Sequence, residues 1–171
     1  LAKPSHLFTL RPAYRFRPIT APSTTYDDPT TGEDPEYGAS INYYLKAPVA
    51  GGVKLTVADA SGQVIRTLTG TNVAGINRVY WDLRHEASKE TRLFTSPLYA
   101  PHIIAPPNGR VAPGTGQLAI LAAPGRYTVT LAAGGSEQQQ SPELRKDPNP
   151  GGTEGDIEAP VRPLVAIRKD M

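Results

Sequence analysis

The sequence predicts an all-β protein, a sandwich of about seven short strands with long proline-rich extensions. Three observations predict it. Short stretches between residues 38 and 147 alternate apolar and polar positions, with turn residues between them roughly every 8 to 12 positions. The chain holds 18 prolines and 16 glycines among 171 residues, an excess that favours turns and irregular segments over helices. Its one tryptophan, Trp81, falls in the middle of an alternating stretch, where a large aromatic fills the gap between two sheets.

Residues 1–37 carry six prolines and no sustained periodicity, and read as an extended arm and linker. Within them "RPAYRFRP" is basic and aromatic, and "DDPTTGEDPE" is acidic. From Gly38 the pattern changes. "ASINYYLK" puts Ile41, Tyr43 and Leu45 on one face, and "VKLTVAD" does the same with Val53, Leu55 and Val57. The turn "ASG" leads into "QVIRTLTG". "AGINRVYWDL" then places Val79, Trp81 and Leu83 on one side and Arg78, Tyr80 and Asp82 on the other. Residues 84–116 lose the alternation and form a long inserted loop. "QLAIL" (117–121) reads as a short strand, and "RYTVTLAA" sends Tyr127, Val129 and Leu131 inward. Gly134-Gly135 signals a hairpin into "SEQQQSPELRK", a charged, proline-bearing edge strand. The predicted core is therefore Ile41, Tyr43, Leu45, Leu55, Val57, Val79, Trp81, Tyr127, Val129 and Leu131. Seven strands over residues 38–147 match an immunoglobulin- or fibronectin-III-like sandwich. The tail, 148–171, reads as extended and partner-dependent. Thr153 can cap a single helical turn, but Pro160 and Pro163 stop anything longer.

These motifs resemble a family. "YGASINYYLK", "VKLTVADASGQVIRTLTG", "AGINRVYWDLRHE", "APGRYTVTL" and "RKDPNPGGTEGDI" are similar to the C-terminal region of large secreted bacterial proteins that carry sialidase- or sortilin-type β-propellers and are labelled glycosyl hydrolases. That region resembles the immunoglobulin-like module of the flagellar hook-capping protein. The resemblance spans roughly residues 5–157. It implies an immunoglobulin-like fold and a periplasmic or extracellular setting. It implies no active site here, since the hydrolase label belongs to propellers. Relatives continue into a helix after "GTE-x-D-I"; this chain has Pro160 and Pro163 instead.

No catalytic constellation is visible, so the chain is expected to be no enzyme and to need no cofactor or metal. Trp81-Asp82 occurs once, whereas a propeller repeats that dipeptide at about 40-residue spacing; a core tryptophan followed by a turn-forming aspartate is the expected reading. The carboxylates Asp27, Asp28, Glu33, Asp34 and Glu36 sit in the linker, where solvation competes with calcium binding. Asp59 reads as a turn residue. His6, His85 and His102 have no metal-ligand spacing. With no cysteine, disulfide scaffolds and thiolate chemistry are excluded. A formal charge of +2 gives no general case for nucleic acid. No apolar run reaches the roughly 20 residues of a transmembrane helix.

The long loop is the main anomaly, because loops beyond about 15 residues inside a domain are usually functional or disordered. Its apolar residues Phe94, Leu98, Tyr99, Ile103 and Ile104 argue against disorder. Either it covers its own sandwich or it docks on another protein. The arginine–aromatic strip Arg11, Tyr14, Arg15, Phe16 and Arg17 is a second candidate contact. The expected function is a non-catalytic interaction or scaffold module, an accessory subunit bound to other protein subunits, with a membrane protein complex as one such assembly. The start at Leu1 without a leader suggests a segment of something larger. The rival is an accessory or carbohydrate-binding sandwich of a secreted glycoside hydrolase, for which Tyr44, Tyr80 and Tyr99 would supply the exposed platform.

Overall fold

The computed structural model describes residues 3–16, 36–112, 116–149 and 151–170. Arg17 and the linker carboxylates Asp27, Asp28, Glu33 and Asp34 lie outside them. The chain is mostly strand, in several small sheets, with one C-terminal helix.

Two sheets share the core. The first has the order β1-β3-β6, from β1 (Ser5–Leu7), β3 (Ala39–Leu45) and β6 (Gly75–Trp81), all antiparallel. The second has the order β11-β10-β4-β5, from β4 (Val53–Ala58), β5 (Val64–Gly70), β10 (Thr128–Ala133) and β11 (Ser136–Gln140). Their inward positions form a single apolar cluster. It holds Ile41, Tyr43 and Leu45 from β3, Leu55 and Val57 from β4, Val129 and Leu131 from β10, and Trp81 and Tyr127, with Val79 only partly buried against it. Burying each such side chain stabilises the fold by about 1.5–3 kcal/mol. A third, small sheet, β2-β12-β9, joins β2 (Ala13–Arg15) in parallel to β12 (Glu143–Lys146), with β9 (Gly125–Arg126) beyond.

Residues 5–15 correct the expected boundary at residue 38. They are not an arm outside the domain: Leu7, Leu10 and Ala13 are buried in the common core. The link is made by a side chain. The Gln138 amide of β11 accepts from Leu7 N at 3.0 Å and donates to Ser5 O at 3.1 Å and Ser5 Oγ at 2.9 Å. Gln138 thus closes one open side where the edge strands of the two sheets meet. Such a pairing joins residues 131 or more positions apart, and no local pattern announces it.

Two other expectations are corrected. "QLAIL" is not a regular strand: it runs against residues 83–88 through an isolated bridge, Arg84 to Leu121, with His85 N donating to Ile120 O at 2.9 Å and Ala122 N to Leu83 O at 2.8 Å. "SEQQQSPELRK" is two strands, because Pro142 interrupts the ladder and the chain passes from the second sheet into the third.

The tail is a fourth correction. Residues Glu154–Asp170 form helix α1 despite Pro160 and Pro163. Each proline removes one backbone donor and costs about 3 kcal/mol in a helix interior. Both prolines lie on the exposed side, so the carbonyls they leave unpaired can be solvated. Several contacts offset the cost. Asp156 Oδ2 accepts from Thr153 N (2.7 Å) and Thr153 Oγ1 (2.8 Å), and Asp156 N donates back to Thr153 Oγ1 at 3.3 Å, a capping box. Arg162 pairs with Glu158 one turn earlier at 2.7 Å. Val161 is buried, and Arg168 Nη1 donates to Glu86 O at 2.6 Å, tying the last turn to the body. Thr153 therefore caps not one turn but a full helix.

The "A-G-x-N-x-V-x-W-D" stretch has a local physical account. Gly75 has φ 105°, and Asn77 is buried behind it, donating from Nδ2 to Val73 O (2.7 Å) and Gly75 O (3.1 Å) while accepting from Thr71 Oγ1 at 2.8 Å. Asp82 Oδ1 accepts from Arg84 N at 3.1 Å, as a turn aspartate does. Gly38 is required by contact: a Cβ there would stand 2.2 Å from Trp81 O.

Tyr127 follows the Pro124-Gly125 turn, and its hydroxyl donates to Ala123 O at 2.5 Å. Burial pushes that hydroxyl up to about 12, so it remains a donor throughout the neutral range. We expect Tyr127→Phe to lose about 1–2 kcal/mol of stability, since the ring still packs while the half-buried Ala123 carbonyl loses its partner. Urea denaturation measures it, with an unchanged m-value as the sign that the fold is retained.

Candidate interaction surface

The long loop divides into a strapped base and an exposed tip. At the base, Ser88 N donates to Leu118 O at 3.0 Å and Ser88 Oγ accepts from Leu118 N at 2.9 Å. Thr91 N donates to Gly116 O at 2.7 Å, and Ala112 N to Thr91 O at 3.2 Å. A two-residue hairpin follows, β7 (Arg92–Leu93) against β8 (Arg110–Val111). Arg110 Nε donates across it to Thr95 O at 2.9 Å. Beyond the hairpin, turns close through Ala100 N to Pro97 O (3.1 Å), Ile103 N to Ala100 O (3.0 Å) and Gly109 N to Pro106 O (2.8 Å). Prolines at 97, 101, 106 and 107 lower the entropy cost of holding this shape.

The tip presents its apolar side chains to solvent. Leu98 is 83% exposed, Tyr99 95% and Ile104 85%, with Phe94 at 68% and Ile103 at 48%. Of the two readings of the loop, these residues do not cover the chain's own core. The base does bury side chains: Leu83, His85, Ser88, Ile120 and Ala122. It also shields an edge, since Glu86 N donates to Ile65 O at 2.6 Å and Glu86 Oε2 accepts from Thr67 N at 3.3 Å along β5.

The second predicted group lies on and beside β2. Tyr14 and Phe16 stack with centroids 6.2 Å apart and are each about 40% exposed. Arg11 is exposed, and Arg15 is half-buried with its Nε unpartnered; burial lowers the Arg15 guanidinium pKa. No hydrogen bond or ring contact joins this group to the loop tip among the described residues. They are two surfaces rather than one. Tyr44 and Tyr80 lie on the outer face of the β1-β3-β6 sheet, half-buried, and Tyr99 on the loop tip, so the three tyrosines do not share an element.

Sequence reasoning missed the junction of α1 with the loop base. A cavity of about 440 Å³ opens there between the Asp59–Ser61 turn, Pro124–Tyr127, His85 and the helix residues Val161 and Val165. Asp59 acts as a turn residue, its Oδ1 accepting from Ser61 N (2.9 Å), Ser61 Oγ (2.6 Å) and Gln63 N (3.1 Å). Burial raises the Asp59 pKa, but those hydrogen bonds outweigh it and leave the carboxyl below its ordinary value. The only sequence signal for the junction was the Thr153 cap. Among the described residues, no group of three or more His, Asp or Glu gathers to hold a metal ion. Nor, among the described residues, is any helix long and apolar enough to cross a membrane.

Compared with known proteins, the chain matches no family model, no curated protein and no solved structure.

Two expectations follow from this geometry. Replacing Leu98, Tyr99 and Ile104 together with serine should shift the unfolding free energy by less than about 0.5 kcal/mol, because none of the three packs on the fold; thermal and urea melts test it. His85 gives a pH dependence. Burial, then Arg168, holds its imidazole below the ordinary value, against the pull of Asp59. The unfolded chain therefore binds the proton more readily. The His85 contribution is complete well above about pH 6.5 and is lost progressively as pH falls below that value towards the lower folded-state pKa, with a slope of at most about 1.4 kcal/mol per pH unit. Urea midpoints from about pH 8 down to pH 5 should show this slope, and His85→Gln should flatten it.

Proposed function

We propose that this chain is a non-catalytic immunoglobulin- or fibronectin-III-like sandwich module that works outside the cytoplasm as an accessory subunit, holding a larger assembly together through its loop tip and its arginine–aromatic strip. The loop carries the reading. A segment strapped at its base by at least four backbone and side-chain hydrogen bonds holds Leu98, Tyr99 and Ile104 out in water. Exposing large apolar groups on a stiffened support is unfavourable for a lone domain and useful at a contact. Aromatic residues in such positions commonly anchor interfaces.

The sandwich class is supported by two sheets with one common core, by Trp81 inside it and by the Tyr127 hydroxyl bound to Ala123 O, a bond of the tyrosine-corner kind. The periplasmic or extracellular setting rests on the sequence resemblance alone. A membrane protein complex is one assembly that fits.

Native isolation of the chain from its source, followed by gel filtration and mass spectrometry, tests the reading. Stoichiometric co-elution with defined subunits is expected for the unaltered chain and loss of that co-elution for the Leu98, Tyr99, Ile104 triple-serine variant. Elution alone at about its own mass of 18.3 kDa, or co-elution that the triple variant leaves intact, would refute it.

A further inference from the structure

The outer face of the β1-β3-β6 sheet carries a pocket that the loop tip does not touch and that borders the arginine–aromatic strip at Arg11. It has a volume of about 450 Å³, within the range of about 300–1,000 Å³ usual for small-ligand sites. Besides Thr9, its polar lining comes from Arg11, Glu36, Ser40, Asn42, Arg78 and Tyr80. Strand register sets most of it: Ser40 lies opposite Tyr80, and Asn42 opposite Arg78, so four of the six project from one face. Arg11 enters from the segment between β1 and β2.

The groups are positioned rather than merely adjacent. Arg78 Nε donates to Asn42 Oδ1 at 2.7 Å, and Asn42 Nδ2 donates to Ser40 Oγ at 3.2 Å. That chain of bonds fixes the Arg78 guanidinium by its inner nitrogen and leaves its two terminal nitrogens available. Among the described residues, no carboxylate pairs with Arg78 or Arg11; the five ion pairs present involve other residues. Arg66, Arg92, Arg145 and Arg162, by contrast, each pair with a carboxylate.

We propose that this pocket binds an acidic sugar, a ring bearing one carboxylate and several hydroxyls, as a unit of an anionic polysaccharide. Two unpaired guanidinium groups offer forked donors that match a carboxylate. Glu36 discriminates among anions. Its carboxylate repels a compact, highly charged ion such as phosphate, but it accepts hydrogen bonds from sugar hydroxyls. Ser40 and the Tyr80 hydroxyl donate or accept as a ring requires, and the half-exposed Tyr80 ring offers a flat apolar side for the C–H face of a pyranose. The site is separate from the loop tip, so the triple-serine variant that tests docking there leaves it unaltered.

Titration of the full chain with digalacturonate, followed by amide chemical shifts in low-salt buffer, tests this. Shifts should centre on residues 38–42 and 78–80. The dimethyl ester of the same sugar should bind at least about tenfold more weakly, as should Arg78→Gln towards the acid, since each removes a charge-assisted contact. Glu36→Gln should strengthen binding of inorganic phosphate by a larger factor than that of the acidic sugar, narrowing the preference between them. Equal binding of the ester, unchanged affinity in Arg78→Gln, shifts elsewhere on the molecule, or phosphate binding as tightly as the sugar to the unaltered chain would each overturn the proposal. Because Arg78 is exposed, its replacement leaves folding intact, and an unchanged melting curve verifies that.

Discussion

Trp81 makes three contacts at once, and the rest of the chain is arranged around them. Its ring sits in the core, edge-on to Tyr127 with centroids 5.3 Å apart. Its indole N–H donates to Arg84 O at 2.9 Å, which bends the chain just past the end of β6. Its carbonyl lies against Gly38, where no side chain fits. Between Trp81 and Arg84 the backbone passes through Leu83 at φ 59°, a left-handed position that a leucine occupies at a cost of about 1–2 kcal/mol. Leu83 is fully buried, so its packing contributes in the opposite direction. The bend ends the ladder with β3 and sends residues 84–88 towards β5, and the long loop departs from there.

The same bend sets up the C-terminal helix. Once Glu86 runs along the edge of β5, its carbonyl is available to Arg168, and His85 is buried beneath α1. The helix buries only Val161 fully and keeps two prolines, so its own propensity is poor. Caps, one intrahelical ion pair and the contacts at its last turn hold it. Such an element, with few buried apolar contacts, belongs at the low end of the scale of local stability.

Edge protection explains several polar choices that otherwise look arbitrary. Gln138 saturates the backbone of β1, Glu86 covers Thr67 on β5, and Pro142 ends β11 before it grows into a longer exposed edge. These devices keep a strand-rich chain from pairing with copies of itself. Apolar exposure is greatest at the loop tip, although Ile76 on β6 and Val64 on β5 also face solvent.

Alternation by itself determined the sheets. In β3, β4 and β10 every second residue is apolar, and a one-residue slip would turn all of them to water, so these faces and the turns between them were legible from the chain. So were the Gly134-Gly135 hairpin, the Asp59 and Asp82 turns, the burial of Trp81 and the apolar content of the loop. What only the tertiary structure decided depends on partners distant in sequence. Residues 5–15 look like a linker because three-residue strands are too short to show a period, and they order only against β3, β11 and β12. The helix at 154–170 looks forbidden because propensity counts its prolines and cannot count Glu86, 82 positions away, as a partner for Arg168. The outward aim of Leu98, Tyr99 and Ile104 follows from hydrogen bonds at the loop base, and the pocket beside Tyr80 from strand register. Neither leaves a trace in local sequence, since both arise where separately folded segments meet.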